Sequence, residues 1–418
     1  MTGMTTERVA VIGSGVAGLT AAYLLQRRYD VLLFEAAPRL GGHAHTHDVP
    51  TPDGTVAVDS GFIVHNERTY PNLLRLFGEL GVTTRESEMS MSVRCLGCGL
   101  EYAGARGLPG LFARPGNALR PSYLRMLAEV TRFHRHARRV LAQGGEEVTL
   151  GEFASGYSRY FTEHFLLPVV SAVWSAPENV SRAYPARYLF RFLAHHGLLS
   201  VGGSPTWRTV AGGSREYVER AAKELTAVHV GTPVRAVSRT PDGVEVRDDG
   251  DETHTVDRVV VATHADEALA LLADPTPEEK RVLGAFTYSR NETWLHSDDS
   301  LLPVARGARA SWNYLKPTCA GADEVLVSYD MNRLMRLGEP TPYVVTLNAT
   351  DRVDPDTVLA TMTYEHPVYT PESVAAQGFL PSLATARTVY AGAYHGWGFH
   401  EDGCASGVRA AAAFGVDW

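Results

Sequence analysis

The fold of this chain is decided by Arg8-Val-Ala-Val-Ile-Gly-Ser-Gly-Val-Ala-Gly-Leu-Thr-Ala-Ala-Tyr-Leu-Leu25 and by Val31-Leu-Leu-Phe-Glu35, which follows it. Residues 9–12 form a short apolar run rich in β-branched side chains, which predicts a buried parallel strand. The glycine-rich turn and apolar stretch that follow predict a helix. Val31-Leu-Leu-Phe then predicts a second strand, so the opening segment is expected to form a βαβ unit.

The three glycines of this segment have the spacing G-x-G-x-x-G, which is typical of a dinucleotide-binding turn. Gly13 permits the tight turn, Gly15 lets the backbone approach a diphosphate, and Gly18 lets the helix pack closely on the strand. The helix N-terminus favours an anion, and Glu35 at the end of the next strand is placed to accept a hydrogen bond from a ribose hydroxyl. The residues expected to bind the nucleotide here are Gly13, Ser14, Gly15, Val16, Ala17, Gly18, Glu35 and Ala36.

A second pair of glycines extends the predicted binding site. The sequence Arg39-Leu-Gly41-Gly42-His43 follows the acid, and Asp59-Ser-Gly61-Phe62-Ile63 comes shortly after it. An NAD site has no need of these additional glycines, whereas a longer cofactor must pass close to backbone at several points. The Arg39 guanidinium is suited to neutralise phosphate charge. The residues added to the predicted site are Arg39, Gly41, Gly42, His43, Gly61, Phe62 and Ile63.

Together these motifs resemble the flavin amine oxidase superfamily, which also contains protoporphyrinogen oxidases, phytoene desaturases and some fatty-acid double-bond isomerases. The resemblance implies FAD as the cofactor, bound without a covalent link. It also implies an α/β fold, in which a Rossmann-like FAD-binding domain (a parallel sheet with helices) is interleaved with an α+β substrate domain, as in amine oxidases.

The same resemblance predicts the domain boundaries. We expect the FAD-binding domain to comprise residues 1–75, 206–275 and 384–418. We expect the substrate domain to comprise residues 76–205, which read as mostly helical, and residues 276–383, which read as strands with a helix.

Later segments of the chain match further parts of a superfamily FAD site. Val234 matches a backbone contact to adenine, and a buried strand ends at Ala262-Thr263, where the chain skirts the cofactor. A strand ending at Gly392 leads into a C-terminal helix, whose N-terminus is expected to point at the flavin pyrimidine. The resemblance adds these residues to the cofactor site: Val234, Ala262, Thr263, Gly392, Glu401, Asp402, Gly403 and Ser406.

Candidate catalytic residues come from two places in the sequence. In the superfamily the segment after the equivalent of Gly61 passes the flavin ring, so its polar side chains are candidates for facing it. The alternative for Tyr70 is that it only starts a helix. The candidates for catalysis and proton transfer are His65, Glu67, Tyr70, His400 and Glu401.

A narrower resemblance bears on the substrate. Asp59-Ser-Gly-Phe-Ile-Val-His-Asn-Glu-Arg-Thr-Tyr-Pro-Asn72 is similar to a bacterial subgroup commonly encoded beside enzymes resembling cyclopropane-fatty-acid synthases. The resemblance implies such an enzyme as a functional partner and an apolar, fatty-acyl or lipid-like substrate. We therefore predict hydride transfer at flavin N5, in a desaturation or a double-bond isomerisation. The alternatives are a peroxide-producing amine oxidase and a non-catalytic, flavin-containing lipid-binding partner of a methyltransferase-like enzyme.

Composition agrees with a globular enzyme. The 418 residues are 44% hydrophobic and 21% charged, and the net charge of −8 argues against a nucleic-acid partner. The sequence contains no signal peptide and no apolar run long enough to cross a bilayer, which predicts a cytoplasmic protein; peripheral membrane contact stays open.

Two groups of residues raise the question of a metal. His43, His45 and His47 alternate, so on a strand they would share one face. They form either a metal site or a polar face beside the cofactor, and no nearby carboxylate cluster completes a ligand set. Cys95-Leu-Gly-Cys98 has no second cysteine pair and no histidine at finger spacing, so it is interpreted as two thiols or a redox pair. The sequence therefore predicts no metal.

Overall fold

A computed structural model describes residues 6–143, 147–199, 204–321, 324–349 and 351–418. The strands are β1 (Arg8–Ile12), β2 (Asp30–Glu35), β3 (Thr46–Thr51), β4 (Gly54–Asp59), β5 (His65–Asn66), β6 (Thr84–Glu86), β7 (Met91–Cys95), β8 (Leu100–Ala103), β9 (Trp207–Val210), β10 (Ala227–Val230), β11 (Val234–Arg239), β12 (Val244–Asp248), β13 (Thr253–Val256), β14 (Arg258–Val261), β15 (Thr287–His296), β16 (Trp312–Lys316), β17 (Val327–Asp330), β18 (Val344–Leu347), β19 (Val358–Val368) and β20 (Thr388–Tyr390).

The helices lie mainly before β9 and at the C-terminus. They are α1 (Val16–Leu25), α2 (Pro71–Leu80), α3 (Gly107–Leu111), α4 (Pro121–Gln143), α5 (Leu150–Ala154), α6 (Arg159–Phe161), α7 (Leu167–Trp174), α8 (Glu178–Arg182), α9 (Ala186–His195), α10 (Arg215–Ala222), α11 (Ala265–Leu271), α12 (Pro277–Leu283), α13 (Met331–Leu334), α14 (Pro371–Gln377) and α15 (His400–Ala413). A π-helical turn, Thr162–Leu166, joins α6 to α7.

The predicted parallel sheet has the strand order β10-β2-β1-β14-β20. Val9 and Val11 face a core shared with α1 and α15, whereas Ala10 and Ile12 face a second core on the other side of the sheet. Both faces are covered, which explains why the strand is apolar throughout instead of alternating. The sequence interpretation of β1, α1 and β2 as a parallel unit is confirmed.

The first and last helices of the chain pack directly on each other. A Cβ at Gly403 would lie 2.7 Å from the Val16 Cγ1, and a Cβ at Gly407 would lie 2.4 Å from the Ala17 carbonyl oxygen. Only glycine permits this approach between α1 and α15. The contact fixes the position of the α15 N-terminus beside the nucleotide-binding turn.

The second large sheet has the order β19-β15-β18-β17-β16-β7-β8, and β16 pairs with β7 in parallel. The helices α4 to α9 cover it, with an aromatic core built around Phe133, Phe161 and Phe190. The strands of the parallel sheet all lie in the segments predicted for the FAD-binding domain, and those of the second sheet all lie in the segments predicted for the substrate domain. The domain boundaries themselves stay predictions. The segment 76–205, predicted to be mostly helical, contains α3 to α9 and also the strands β6, β7 and β8. Residues 144–146 and 200–203 of this segment lie outside the described part.

In the described residues, no helix is both long enough and apolar enough to span a membrane.

Candidate functional site

We call the seven-stranded sheet, together with helices α4 to α9, the substrate lobe. One large cavity of about 1150 Å³ lies between the parallel sheet and this lobe. The G-x-G turn lines one part of it, and side chains of α4, α7 and α9 line another. The nucleotide end and the apolar end are therefore continuous. A ligand bound at the turn would extend toward the space enclosed by the helical region.

The three glycines of the turn have distinct roles in the structure. Gly13 has φ +97°, and a Cβ there would lie 2.8 Å from the Ala262 carbonyl oxygen. A Cβ at Gly18 would lie 1.9 Å from the Gly13 carbonyl oxygen, so this glycine serves the close packing of α1. At Gly15 an added Cβ would meet no protein atom within 4 Å, and the residue lines the cavity. Its open side is free for a ligand.

Glu35 lies where the motif predicts, at the end of β2 and on the cavity wall. Its Oε2 accepts hydrogen bonds from the backbone N–H of Ser14 at 2.9 Å and from its hydroxyl at 2.5 Å. Its Oε1 accepts from the Ala37 N–H at 2.8 Å. The carboxylate is therefore held in place by the turn beside it. Its contact with a ribose stays a prediction.

Arg39 differs from its predicted role. The guanidinium donates hydrogen bonds to the carbonyl oxygens of Leu40, Gly42 and Ala44 at 2.7–3.3 Å, and Arg39 does not line the cavity. These bonds close the R-x-G-G segment into a compact loop. The structure therefore corrects the expectation of a direct phosphate contact, because the guanidinium donors are directed at the loop's own backbone.

His43 leaves this loop and enters the cavity wall. Its ring lies 5.0 Å from that of Tyr364 and 5.5 Å from that of His366, and His264 is close by at 6.4 Å. Burial, followed by the nearby positive charge of a protonated His366, lowers the pKa of His43 well below its usual value. His43 is therefore a neutral imidazole. Its Nε2 is buried and has no hydrogen-bond partner within the described residues.

Two of these observations fit the dinucleotide predicted from the sequence. The open backbone face at Gly15 leaves room for a diphosphate beside the N-terminus of α1. The unpaired Nε2 of His43 points to a missing hydrogen-bond partner, because a buried polar atom without a partner costs free energy. Both residues line the same cavity.

The N-terminus of α15 also reaches the cavity, through Phe399 and His400. The His400 ring stacks on Phe62, with centroids 3.7 Å apart, and its Nε2 lies 3.0 Å from the Tyr217 hydroxyl. Burial lowers the pKa of His400 to about 3, so the ring is neutral. It is oriented by its stacking and its hydroxyl contact.

Other predicted residues at this helix have structural contacts instead. Asp402 accepts the Phe399 N–H at 3.0 Å, and Ser406 accepts the Gly392 N–H at 2.8 Å. Gly403 packs against α1. None of Asp402, Gly403 and Ser406 lines the cavity, and their predicted place in the cofactor site stays a prediction.

Glu401 caps a different helix. Its Oε1 accepts hydrogen bonds from the Asn72 backbone and side chain at 3.1 and 2.6 Å, and its Oε2 accepts from the Leu73 N–H at 3.0 Å. These donors are at the N-terminus of α2, which attracts a carboxylate. The carboxylate of Glu401 is outside the cavity and already paired, which favours a structural role; the catalytic role stays a prediction.

The remaining catalytic candidates, Tyr70, His65 and Glu67, lie in different surroundings. Tyr70 immediately precedes α2, as one interpretation expected, and it also lines the cavity; its catalytic role stays a prediction. His65 is fully buried beside Phe77 and does not line the cavity. Glu67 is 64% exposed, lies 3.6 Å from Arg208 in a surface ion pair and does not line the cavity, so nothing in the structure supports its catalytic role, which stays a prediction.

Most of the predicted cofactor residues do meet at the cavity. Those that line it are Gly13, Ser14, Gly15, Val16, Ala17, Glu35, Ala36, Gly42, His43, Gly61, Phe62, Ile63, Val234, Ala262, Thr263 and Gly392. Gly18, Gly41 and Arg39 support the turn from behind it.

The sequence interpretation missed the histidine and tyrosine wall. His264, Tyr364 and His366 line the cavity beside His43, but they come from α11's N-cap and from β19. His264 directly follows Ala262-Thr263, two predicted cofactor residues, so its position in the sequence could have identified it as part of the site.

The far part of the cavity is apolar. No lysine or arginine lines the cavity in the described chain, and its acidic residues Glu35, Glu267 and Glu365 all contact the turn or His264. The apolar wall is formed by Met91, Val93, Met126, Leu127, Val130, Phe165, Val169, Ala172, Val173, Trp174, Phe192, Trp207 and Leu347.

The structure bears on both groups of residues that raised the question of a metal. The rings of His45 and His47 lie 4.0 Å apart, tilted at 38°, and they hydrogen-bond to Tyr364 and Ser60 respectively. His43 lies apart in the cavity wall. Because β3 begins only at Thr46, the three histidines are not on one strand and do not share a face. The expectation of no metal stays a prediction, although His164 and Cys319 lie close enough to Cys95 and Cys98 for the four side chains to be able to hold an ion.

Comparison with known proteins agrees with this geometry. Residues 16–289 match the family described as flavin containing amine oxidoreductase. A Mycobacterium tuberculosis protein, AofH, whose name is that of a flavin-containing monoamine oxidase, is 29% identical over 280 residues, or 65% of this chain. That match spans 60% of the relative's own length.

Solved structures resemble the whole chain in fold. A putrescine oxidase variant has a TM-score of 0.69 at 16% identity, covering 98% of each chain. A fatty acid isomerase from P. acnes that produces CLA has a TM-score of 0.65 at 15% identity, covering 98% of this chain and 99% of its own. Identities this low establish the fold alone.

Proposed function

This chain belongs to the family of flavin-containing amine oxidoreductases, and on that premise we propose that it acts by hydride transfer on the acyl chain of an apolar, lipid-like substrate. The family is one of oxidoreductases, and the cofactor is FAD. When bound, FAD supplies a hydride acceptor at flavin N5. Desaturation and double-bond isomerisation are the two reactions proposed.

The chain's own residues bind and orient in this proposal. The turn at Gly15 and the neutral His43 hold the cofactor, and Glu35 is fixed by Ser14 beside them. The apolar wall excludes water from the reacting carbon atoms. Tyr70 and His400, which line the cavity, are the candidates for holding or moving a proton.

The observation that carries the proposal is the absence of countercharge at the apolar end of the cavity. Its two histidines, His134 and His196, are neutral, because burial lowers the pKa of each, that of His196 to about 4. A buried ammonium without a carboxylate partner costs several kcal/mol. Each buried methylene instead gains about 0.8 kcal/mol. The site therefore favours a neutral hydrocarbon segment.

Because the described lining also lacks a cation for a free carboxylate, the preferred form of the substrate is an acyl chain held as an ester or amide. The partner implied by the sequence, an enzyme resembling a cyclopropane-fatty-acid synthase, would act on the same acyl chains; it stays a prediction, as does peripheral membrane contact.

The alternative is amine oxidation with release of hydrogen peroxide. The names of relatives such as AofH and putrescine oxidase support it. It requires the amine to enter as the neutral base, because the apolar end offers no anion. A third hypothesis is a non-catalytic lipid-binding role. Under this hypothesis none of the tested compounds would reduce the flavin.

The deciding experiment is anaerobic mixing of the flavin-loaded protein with acyl esters and with amines in parallel. We expect acyl esters to bleach the flavin or to return isomerised, with Kd falling about fourfold per added methylene until the cavity is full. Product mass separates the two reactions, since desaturation removes two hydrogens and isomerisation removes none. Bleaching by amines alone would overturn the acyl proposal.

A pair of alanine variants tests the location of the acyl chain. Ala172 is 2% exposed on α7 and lines the cavity, whereas Ala128 is exposed on α4. Ala172→Phe is expected to weaken the longest esters at least tenfold while leaving FAD bound, and Ala128→Phe to leave both unchanged. Equal behaviour of the two variants would contradict this placement.

A further inference from the structure

Outside the cavity, four metal-ligating side chains meet in the substrate lobe. We call them the thiol–imidazole cluster: Cys95, Cys98, His164 and Cys319. Their sulfur and nitrogen atoms all lie within 4.8 Å of one another. Cys95 ends β7, Cys98 lies in the turn to β8, His164 lies in the π-helical turn and Cys319 follows β16.

Two distances inside the cluster match the edges of a tetrahedral zinc site. The sulfur atoms of Cys95 and Cys319 are 3.7 Å apart, and the Cys98 sulfur is 3.6 Å from the His164 Nε2. Zinc–sulfur bonds of about 2.3 Å and zinc–nitrogen bonds of about 2.0–2.1 Å give tetrahedral edges of roughly 3.8 Å between sulfurs and 3.6 Å between sulfur and nitrogen. The other pairs of ligand atoms are no more than 4.8 Å apart, so small side-chain adjustments would bring all four to bonding distance of one ion.

The imidazole is oriented for this purpose by its surroundings. The His164 Nδ1 lies 3.1 Å from the Tyr160 carbonyl oxygen, which only accepts hydrogen bonds. Nδ1 therefore carries the proton, and the Nε2 lone pair faces the Cys98 sulfur. The Tyr102 hydroxyl donates to the His164 carbonyl at 2.8 Å, and the Tyr160 ring stacks on the imidazole at 4.2 Å.

The backbone of the Cys-x-x-Cys turn is shaped around the sulfur atoms. Gly99 has φ +66°, and a Cβ at Gly97 would lie 3.0 Å from the Cys319 nitrogen. The backbone N–H groups of Cys98 and Leu100 hydrogen-bond to the sulfurs of Cys95 and Cys98 respectively. Such donors stabilise thiolates, and the glycines let the Cys319 loop approach.

We propose that the thiol–imidazole cluster binds one Zn²⁺ through three thiolates and the His164 Nε2. Binding displaces the thiol protons to solvent and changes no oxidation state. Four protein ligands leave no open position, so the site is structural and not catalytic. It joins three segments of the substrate lobe that are far apart in sequence.

This site has a consequence for the cavity, although it does not depend on the proposed substrate. Tyr102 contacts the backbone of His164, and both Tyr102 and Phe165 line the cavity. Zinc would therefore fix that part of the wall. Removal of the metal is expected to loosen the substrate lobe while leaving the nucleotide-binding turn intact.

The test begins with the metal content of the purified full-length flavoprotein. We expect about one zinc per chain by mass spectrometry, and intense red-shifted bands of tetrahedral thiolate-bound cobalt after Co²⁺ replaces it. A Cys95–Cys319 disulfide, stoichiometric binding of another metal, or free thiols that take up no Zn²⁺ under reducing conditions would each overturn the proposal.

Variants assign the ligands. Cys98→Ser, Cys319→Ser and His164→Gln are each expected to lose zinc or to bind it at least tenfold more weakly. Cys404→Ser is the matched control, since this thiol lies at the contact of α1 with α15, and it should keep full zinc content. FAD content is measured in every sample, so a failure of the zinc site is distinguished from a failure of the cofactor site. Retention of tight zinc in all three ligand variants would refute the assignment.

Discussion

Replacement of Gly15 by valine is expected to separate cofactor binding from folding. Gly15 has φ −61° and ψ 175° at the N-cap of α1, a conformation open to any residue. A Cβ there would meet no protein atom within 4 Å. The loss of a favourable N-cap glycine costs about 1 kcal/mol at most, so the cofactor-free variant should fold.

The expected effect on FAD is much larger. The valine side chain would occupy the open side of the turn, where the diphosphate must approach backbone N–H groups. Loss of two charge-assisted hydrogen bonds, each contributing about 1.5–3 kcal/mol, weakens binding by at least about 3 kcal/mol. That corresponds to roughly a 150-fold rise in the Kd for FAD.

Gly18→Ala is the contrasting variant. Its single methyl group would lie 1.9 Å from the Gly13 carbonyl oxygen, so α1 must move off the turn. We expect a loss of about 1–3 kcal/mol in the free energy of unfolding of the cofactor-free protein. The assays are FAD titration of deflavinated protein by fluorescence and chemical denaturation of the same samples. The reasoning fails if Gly15→Val binds FAD within threefold of the parent, or loses as much stability as Gly18→Ala.

Two carboxyl groups give further predictions. Glu401→Gln should lower the free energy of unfolding by about 1–2 kcal/mol, because the N-terminus of α2 loses a charged acceptor, and it should leave the flavin spectrum unchanged. An altered spectrum at full stability would favour the catalytic interpretation instead. Glu67→Gln is the control, for which no change in stability is expected. Burial raises the pKa of Asp59 from 3.8 to about 6. The native state therefore holds this proton more tightly than the unfolded chain, and wild-type stability relative to Asp59→Asn should fall by about 2 kcal/mol from pH 4 to pH 6. Denaturation at each pH measures this, and a flat difference would refute it.

The sequence predicted the parts of the site whose function depends on backbone. The spacing of Gly13, Gly15 and Gly18 specifies a turn geometry that local sequence determines, and Glu35 follows from the next strand. The structure adds which glycine faces the ligand and which faces the helix.

Side-chain roles were predicted less well, because they depend on contacts between distant segments. Glu401 was taken for a flavin ligand, yet its partner is the start of α2, 328 residues away. Glu67 lies in the motif but points to solvent, since no neighbouring segment covers it.

The thiol–imidazole cluster is the clearest case of information absent from local spacing. Cys98 and His164 are 66 residues apart, and Cys95 and Cys319 are 224 apart. The sequence shows the Cys-x-x-Cys pair, but its partners are His164 in the π-helical turn and Cys319 in the loop after β16. Only the pairing of β7 with β16 brings them together.

The position of β20 and α15 has a consequence for biosynthesis. The opening turn leaves the ribosome well before the strand that flanks β14 and the helix that packs on α1 have been made. Until then the small-residue face of α1 has no partner, and it is open to chaperones or to misassembly. Flavin loading is therefore expected only after α15 has been synthesised and has packed on α1.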